Sequence, residues 1–259
     1  MLKDIQKEEP EFKYPIERVG ITNFKLPIFV TQRDNINYQH TVADINTFID
    51  LKNNAKGINM SRLPIALQTF LDSPLNRSKM NSIADYIINK CEAERCQLIY
   101  KFPYFIKKIA PISLETGIIY TNVEFNLTKN DNAIFKLSVE TNVTSLCPCS
   151  KEISERSAHN QKSSIKIDVI VKDDSFIWIE DLIEIAEKNS SCEIYSVIKR
   201  VDEKHVTEKA YDNAKFVEDM VRGCYNDLNK LDNITNFKVQ VDNYESIHQH
   251  IATAIMEKI

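Results

Sequence analysis

The sequence predicts an α+β fold built on antiparallel sheet, and three observations carry that expectation. Val123, Phe125 and Leu127 alternate with Glu124, Asn126 and Thr128, a turn signal follows at Lys129-Asn130-Asp131-Asn132, and Phe135, Leu137, Val139 and Thr141 alternate again, so 118–141 reads as a hairpin. Met80, Ile83, Ala84, Ile87, Ile88 and Cys91 fall on one face of a helix. The order strand pair, helices, strand pair occurs twice along the chain, which suggests two like modules although the halves are not visibly similar.

Taken in order, Leu26, Ile28 and Val30 alternate around Pro27, which marks an edge position because proline has no N–H for a ladder. Gln39 to Leu51 reads as a weakly patterned strand, Arg62 to Leu71 and Lys79 to Glu92 as helices, and Gln97 to Lys107 as β again. After the hairpin, 143–164 is polar and irregular, and Ile165, Ile167, Val169 and Val171 form a strand. Trp178 to Lys188 is helical, Glu193 to Val201 strand-like, and Ala214 to Leu231 a longer helix capped at Asn213. Phe237, Val239 and Val241 make a last strand, followed by a helix from Ser246.

Composition excludes several classes of function. The 259 residues include only four glycines, at 20, 57, 117 and 223, so neither a P-loop nor a dinucleotide fingerprint exists here. A net charge of −4 argues against coating of nucleic acid. No apolar run approaches the ~18 residues of a membrane span, and the charged start, Met1 to Glu9, lacks a signal-peptide stretch. The expectation is a cytoplasmic protein without nucleic-acid or membrane partners. Six cysteines in that setting are expected as thiols, available to a metal or to catalysis.

The densest chemistry lies in Ser145-Leu146-Cys147-Pro148-Cys149-Ser150-Lys151-Glu152, with His159 ten residues beyond Cys149. Thiolate and imidazole suit Zn²⁺ or a similar divalent ion, and Lys151 favours the thiolate. A buried turn with small apolar thiols and a surface histidine fits this spacing equally well. In Asp202-Glu203-Lys204-His205, a carboxylate at a strand end could complete a metal shell; a solvated charged loop is the reading that prevails for that segment alone. Glu218 precedes Arg222 by four residues on the long helix, the spacing of an ordinary surface pair. Glu245 shares strand parity with Val239 and Val241 and projects from the apolar face where the strand ends. His248 and His250, two apart, point to different sides of a helix, so one is the ligand candidate.

These segments resemble the type IB GTP cyclohydrolases. The matching stretches are Thr144 to Ser154 with Ala158-His159-Asn160-Gln161, then Val201 to Glu208, Phe216-Val217-Glu218-Asp219, and Glu245-Ser246-Ile247-His248. The resemblance implies two tandem tunnelling-fold modules, 1–128 and 129–259, each a four-stranded antiparallel sheet with two helices on one face, the second carrying most of the active site. It implies a homotetramer with interfacial sites that converts GTP and water into formate and 7,8-dihydroneopterin triphosphate, the first step of tetrahydrofolate synthesis. By the same resemblance Cys147, His159, Glu203 and His248 form the shell of a divalent Zn, Mn or Fe ion, and Cys149 is the second functional thiol, with the two cysteines interchangeable in role. Glu218 anchors the purine, and Glu245 transfers or positions a proton. Lys151, Lys199, Arg200 and Lys204 are triphosphate candidates by proximity to these motifs, Lys199 and Arg200 being equally suited to a solvated strand edge. Two other readings are carried: a related tunnelling-fold enzyme such as a nitrile reductase, whose own signature is not found, and a non-catalytic zinc-stabilised module.

Overall fold

The protein is described from a computed structural model covering residues 6, 8–34 and 36–259; most of the charged opening, Met1 to Ile5 and Lys7, lies outside the described residues. The elements are β1 (Ile16–Thr31), β2 (Tyr38–Leu51), α1 (Arg62–Thr69), α2 (Arg77–Cys91), β3 (Cys96–Ile109), β4 (Thr116–Lys129) and β5 (Ala133–Leu146). They continue with α3 (Pro148–Ile153), β6 (Asn160–Val171), α4 (Ile179–Lys188), β7 (Cys192–Glu193), α5 (Arg200–Asp212), α6 (Val217–Leu228), β8 (Ile234–Asn243) and β9 (Ala252–Lys258). The class is α+β on antiparallel sheet, as the alternation predicts.

Two compact units divide the chain: residues up to Pro103 with Glu124–Lys136, and Tyr104–Val123 with Leu137–Ile259. In the first, strand order is β1-β2-β3-β4-β5. Pro27 sits opposite Val42 on the terminal strand β1, the edge position its missing N–H requires. Gly20 is fixed by close approach, since a Cβ there would lie 1.8 Å from the Thr47 carbonyl oxygen across the β1–β2 ladder. Leu63, Ala66 and Leu67 of α1 are buried, and of the face expected on α2 Met80, Ile83, Ala84 and Ile87 are buried while Ile88 and Cys91 are half-buried. Asn76 caps α2 by accepting the Lys79 N–H at 2.8 Å.

The second unit holds the candidate chemistry. Its strand order is β3-β4-β5-β6-β8-β9, with the short β7 paired to β5. Ile165, Ile167 and Val169 of β6 lie opposite Val241, Val239 and Phe237 of β8, all buried. Helix α6 covers β8 and β9 with Val217, Met220, Val221, Cys224 and Leu228, and α4 packs on β6 and α6. Full burial of side chains such as Leu228 and Met220 contributes ~1.5–3 kcal/mol each.

Four sequence expectations need correction. The polar stretch 143–164 is largely ordered, because β5 runs to Leu146 and β6 starts at Asn160 with α3 between them. Glu193 to Val201 is not a strand: only Cys192–Glu193 pairs, and α5 begins at Arg200. Asn213 is not the cap of a helix from Ala214 but the end of α5; its side-chain amide donates to the Ser190 and Ser191 carbonyls at 2.8 and 3.1 Å, and α6 starts separately at Val217. No helix follows Ser246; the chain turns through 244–250 and returns as β9 against β8, where backbone pairing along Phe237–Asn243 outweighs local propensity.

Candidate functional site

Antiparallel pairing brings the sequence motifs to one end of the second unit's sheet. β5 finishes there at Leu146, β6 begins at Asn160 and β8 finishes at Asn243. The Cys147 N–H donates to the His159 carbonyl at 3.2 Å, closing the loop between β5 and β6, and the Tyr244 N–H donates to the Lys162 carbonyl at 3.1 Å, fixing the turn after β8 beside the start of β6.

Cys147 is the N-cap of α3, with the Ser150 N–H 3.5 Å from its Sγ, and Pro148 occupies the first turn where a missing N–H costs nothing. Cys149, in that turn, is exposed. Ser150 ties the two halves of the motif together: its hydroxyl donates to the Cys147 carbonyl at 3.2 Å and accepts from the His159 N–H at 3.2 Å. His159 is half-buried and its Nδ1 lies 2.8 Å from Gln161 Oε1. All six cysteines are free.

The turn after β8 holds Glu245 and His248 together, with Nε2 3.5 Å from the carboxylate. His250 stacks on His248 with ring centroids 4.8 Å apart, an arrangement the expected helix would have forbidden. Asn243, two residues before Glu245 and opposite Ser163, is buried with no hydrogen-bond partner for Oδ1 among the described residues.

Glu203 lies on the first turn of α5, not at a strand end, and is exposed. The residue beside it is the one sequence reasoning undervalued. Asp202 is fully buried; Oδ1 accepts the Ile112 and Ser113 N–H groups at 2.8 Å each, and Oδ2 accepts the Ser113 hydroxyl at 2.5 Å and the Lys199 N–H at 2.8 Å. Burial alone would raise its pKa, but the Ser113 hydroxyl and the N–H groups of Ser113, Lys199 and Ile112 outweigh burial and hold the carboxyl well below the usual range. These bonds clamp the start of α5 onto the β3–β4 loop, where Leu114 adopts φ 60°. The signal available in the sequence was an aspartate three residues into a helix, the spacing that accepts the N-cap N–H.

The remaining candidates are placed singly. Lys199 pairs with Glu115 and Arg200 is exposed at the start of α5. Lys204 pairs with Glu208 at 3.4 Å. Lys151 donates to the Tyr211 carbonyl at 2.6 Å, with its ammonium 4.3 Å from the Tyr211 ring centre, so α3 is tethered to α5. Glu218 is exposed on the first turn of α6, and Arg222 approaches Asp219 at 3.9 Å rather than forming the expected i,i+4 pair. Among the described residues no three His, Cys, Asp or Glu side chains gather as a metal cluster. No helix among them is long and apolar enough to cross a membrane.

The sequence as a whole decides what this arrangement belongs to. The family model described as type I GTP cyclohydrolase folE2 matches residues 2–254. The chain belongs to that family. Relatives named GTP cyclohydrolase FolE2 include that of Pelobacter propionicus, 41% identical over 256 residues covering 99% of this chain and 98% of the relative. Those of Desulfosudis oleivorans and Thermotoga maritima are 43% and 42% identical, covering 98% and 99% of this chain and 96% and 97% of theirs. Among solved structures, uricase from Arthrobacter globiformis aligns with a TM-score of 0.57 at 8% identity over 93% of this chain and 92% of that one. A Bacillus fastidious uricase gives 0.52 at 10% identity, over 93% of each chain. The family members share sequence along nearly their whole length; the uricases share the fold alone.

Proposed function

We propose that this protein is a GTP cyclohydrolase of folate biosynthesis, converting GTP and water into formate and 7,8-dihydroneopterin triphosphate with a divalent cation bound at the Cys147–His159 junction. The observation that supports the reading most directly is the family match across nearly the whole chain, with the motif residues meeting at one sheet end.

The donor set fits a borderline cation. A thiol at a helix N-cap and an imidazole with one nitrogen already engaged stand on adjoining backbone, and Glu203 and His248 supply oxygen and a second nitrogen. Zn²⁺, Mn²⁺ and Fe²⁺ all suit such a mixture. The chemistry a bound cation supplies is acidification of water, from pKa 15.7 towards ~7, so that a nucleophile for the guanine carbon exists at neutral pH. In this reading, as in the family the chain resembles, the protein is a homotetramer with its sites at subunit interfaces.

Around that centre the chain's own groups divide the work. Glu218 accepts hydrogen bonds from the guanine amide and amino edge. Glu245, 3.5 Å from His248, moves or holds a proton during ring opening and deformylation, and Cys149 is the exposed second thiol. Lys151, Lys199 and Arg200 remain the triphosphate candidates, Lys151 having to leave Tyr211 and Lys199 to leave Glu115. The two modules, 1–128 and 129–259, are tandem tunnelling-fold units, and the protein is cytoplasmic.

The test is product analysis. Protein loaded with Mn²⁺ or Zn²⁺ forms formate and a pterin that fluoresces after oxidation, in equal amounts, and the Cys147→Ser protein falls to background. Absence of both products with every divalent metal removes the reading.

A further inference from the structure

Beneath His159, three buried side chains are joined in one hydrogen-bonded polar chain. Ser145 on β5 and Ser163 on β6 are fully buried, and Gln161, two residues before Ser163 and so on the same face, is 7% exposed. The Ser163 hydroxyl donates to Ser145 Oγ at 2.9 Å, Gln161 Nε2 donates to the same oxygen at 2.7 Å, and Gln161 Oε1 lies 2.8 Å from His159 Nδ1. Burying polar groups this deeply costs free energy, which the hydrogen bonds along the chain offset.

The ends of the amide are not equivalent. In the structure its NH₂ faces Ser145 Oγ and its oxygen faces the ring, and a carbonyl oxygen can only accept. His159 Nδ1 therefore carries the proton. A neutral imidazole has one N–H, which leaves the lone pair on Nε2. An unconstrained imidazole in water prefers the opposite tautomer, with hydrogen on Nε2 and no lone pair there to give.

The geometry points to Gln161 as a positioning residue: anchored by Ser145, it locks His159 in the Nδ1–H tautomer and thereby presents the Nε2 lone pair to the cation. This rests on the metal-dependent cyclohydrolase reading above and adds to it which histidine nitrogen ligates and what selects it. A neutral amide does this without adding negative charge next to the ring. It also explains why polar residues occupy three inward positions that the strand pattern would otherwise fill with Val or Ile.

The experiment uses histidine-selective ¹⁵N labelling of the full-length, metal-free protein at a pH where imidazole is neutral. Long-range ¹H–¹⁵N correlation reports the tautomer of each of the five histidines, and the pattern missing from the His159→Asn protein identifies His159. The expected result is hydrogen on Nδ1 in the wild type, a change towards Nε2–H in Gln161→Met, and return to Nδ1–H in Gln161→Glu, which keeps an acceptor. In parallel, Zn²⁺ affinity measured against a chromophoric chelator falls about 10–100-fold in Gln161→Met and recovers in Gln161→Glu. Merely structural packing would be satisfied by methionine, whose volume is close to that of glutamine. If Gln161→Met does not fold, the wild-type spectrum decides alone. Hydrogen on Nε2 of His159 in the wild type, or unchanged Zn²⁺ affinity in folded Gln161→Met, overturns the proposal. A wild type with the expected tautomer that forms no formate from GTP instead refutes the cyclohydrolase reading and leaves the assignment of Gln161 as the residue fixing the tautomer standing.

Discussion

Glu218, the proposed purine anchor, looks ordinary in its packing. It is exposed, it makes no contribution to the buried stripe of α6, and the neighbouring Asp219 takes both the local duties open to an acid there. Asp219 accepts the Phe216 N–H at 3.1 Å and pairs with Arg222. A carboxylate with no structural work at the head of a helix is available for a ligand. Replacing it with Gln turns one acceptor into a donor that would face the guanine N–H groups. The charge-assisted bonds lost are worth ~1.5–3 kcal/mol, so Glu218→Gln is expected to lower kcat/KM for GTP about 10–100-fold, chiefly through KM, with the melting temperature unchanged. Steady-state kinetics and a thermal melt check both halves. A lower melting temperature with KM intact would mean that the residue serves the fold instead.

At the scale of elements, the second unit depends on depressed carboxylates. Burial opposes ionisation of Glu193, but bonds from Lys209, its own backbone and Tyr195 bring its pKa down to about 2. Asp227, bonded by Lys188, Lys230 and Asn189 against a burial penalty, is likewise held at about 2, and Asp202 lies below the usual range. Each folded-state pKa is below its unfolded value, so the stability these groups add is complete above the ordinary carboxylate range and is lost progressively as pH falls from there through the folded-state values. Glu187 works in the opposite sense, since burial raises its pKa despite Lys108. The denaturant midpoint is therefore expected to fall as pH drops from the ordinary carboxylate range of about 4 towards pH 2.5, less steeply in Glu193→Gln. In the first unit, Gly20→Ala drives a Cβ into the Thr47 carbonyl and is expected to cost about 1–3 kcal/mol in an unfolding titration, by prising β1 from β2. What the sequence revealed of these elements follows the same physics. Strands and helices with one apolar face were legible: the hairpin, α2, α4 and the buried stripe of α6. Helix α5 was not, because only Asp202 and Ala210 of its thirteen residues are buried and it carries no apolar stripe. Strand β9 was not, because Ile251 and Ile255 stand four apart as in a helix and nothing local announces that β8 will pair with it.

On the scale of the whole molecule, the candidate site was legible in its parts and hidden in its assembly. Cys147, His159, Glu245 and His248 stood out by residue type and by family resemblance, yet their meeting at one sheet end comes from strand pairing between segments up to a hundred residues apart, which no local pattern encodes. The buried supports, Asp202 and the Ser145–Gln161–Ser163 chain, were hidden because polar residues at inward positions read as loop or surface until neighbouring strands enclose them. In the proposed reading Cys147 and His159, whose backbones meet at the β5–β6 junction, hold the divalent ion on which the reaction depends. The most direct measurement is a crystal structure of the Zn²⁺-loaded protein with anomalous data at the zinc edge. The expected result is a peak ~2.3 Å from Cys147 Sγ and ~2.0–2.1 Å from His159 Nε2 in every copy. A zinc peak elsewhere, with both side chains unligated, would contradict it.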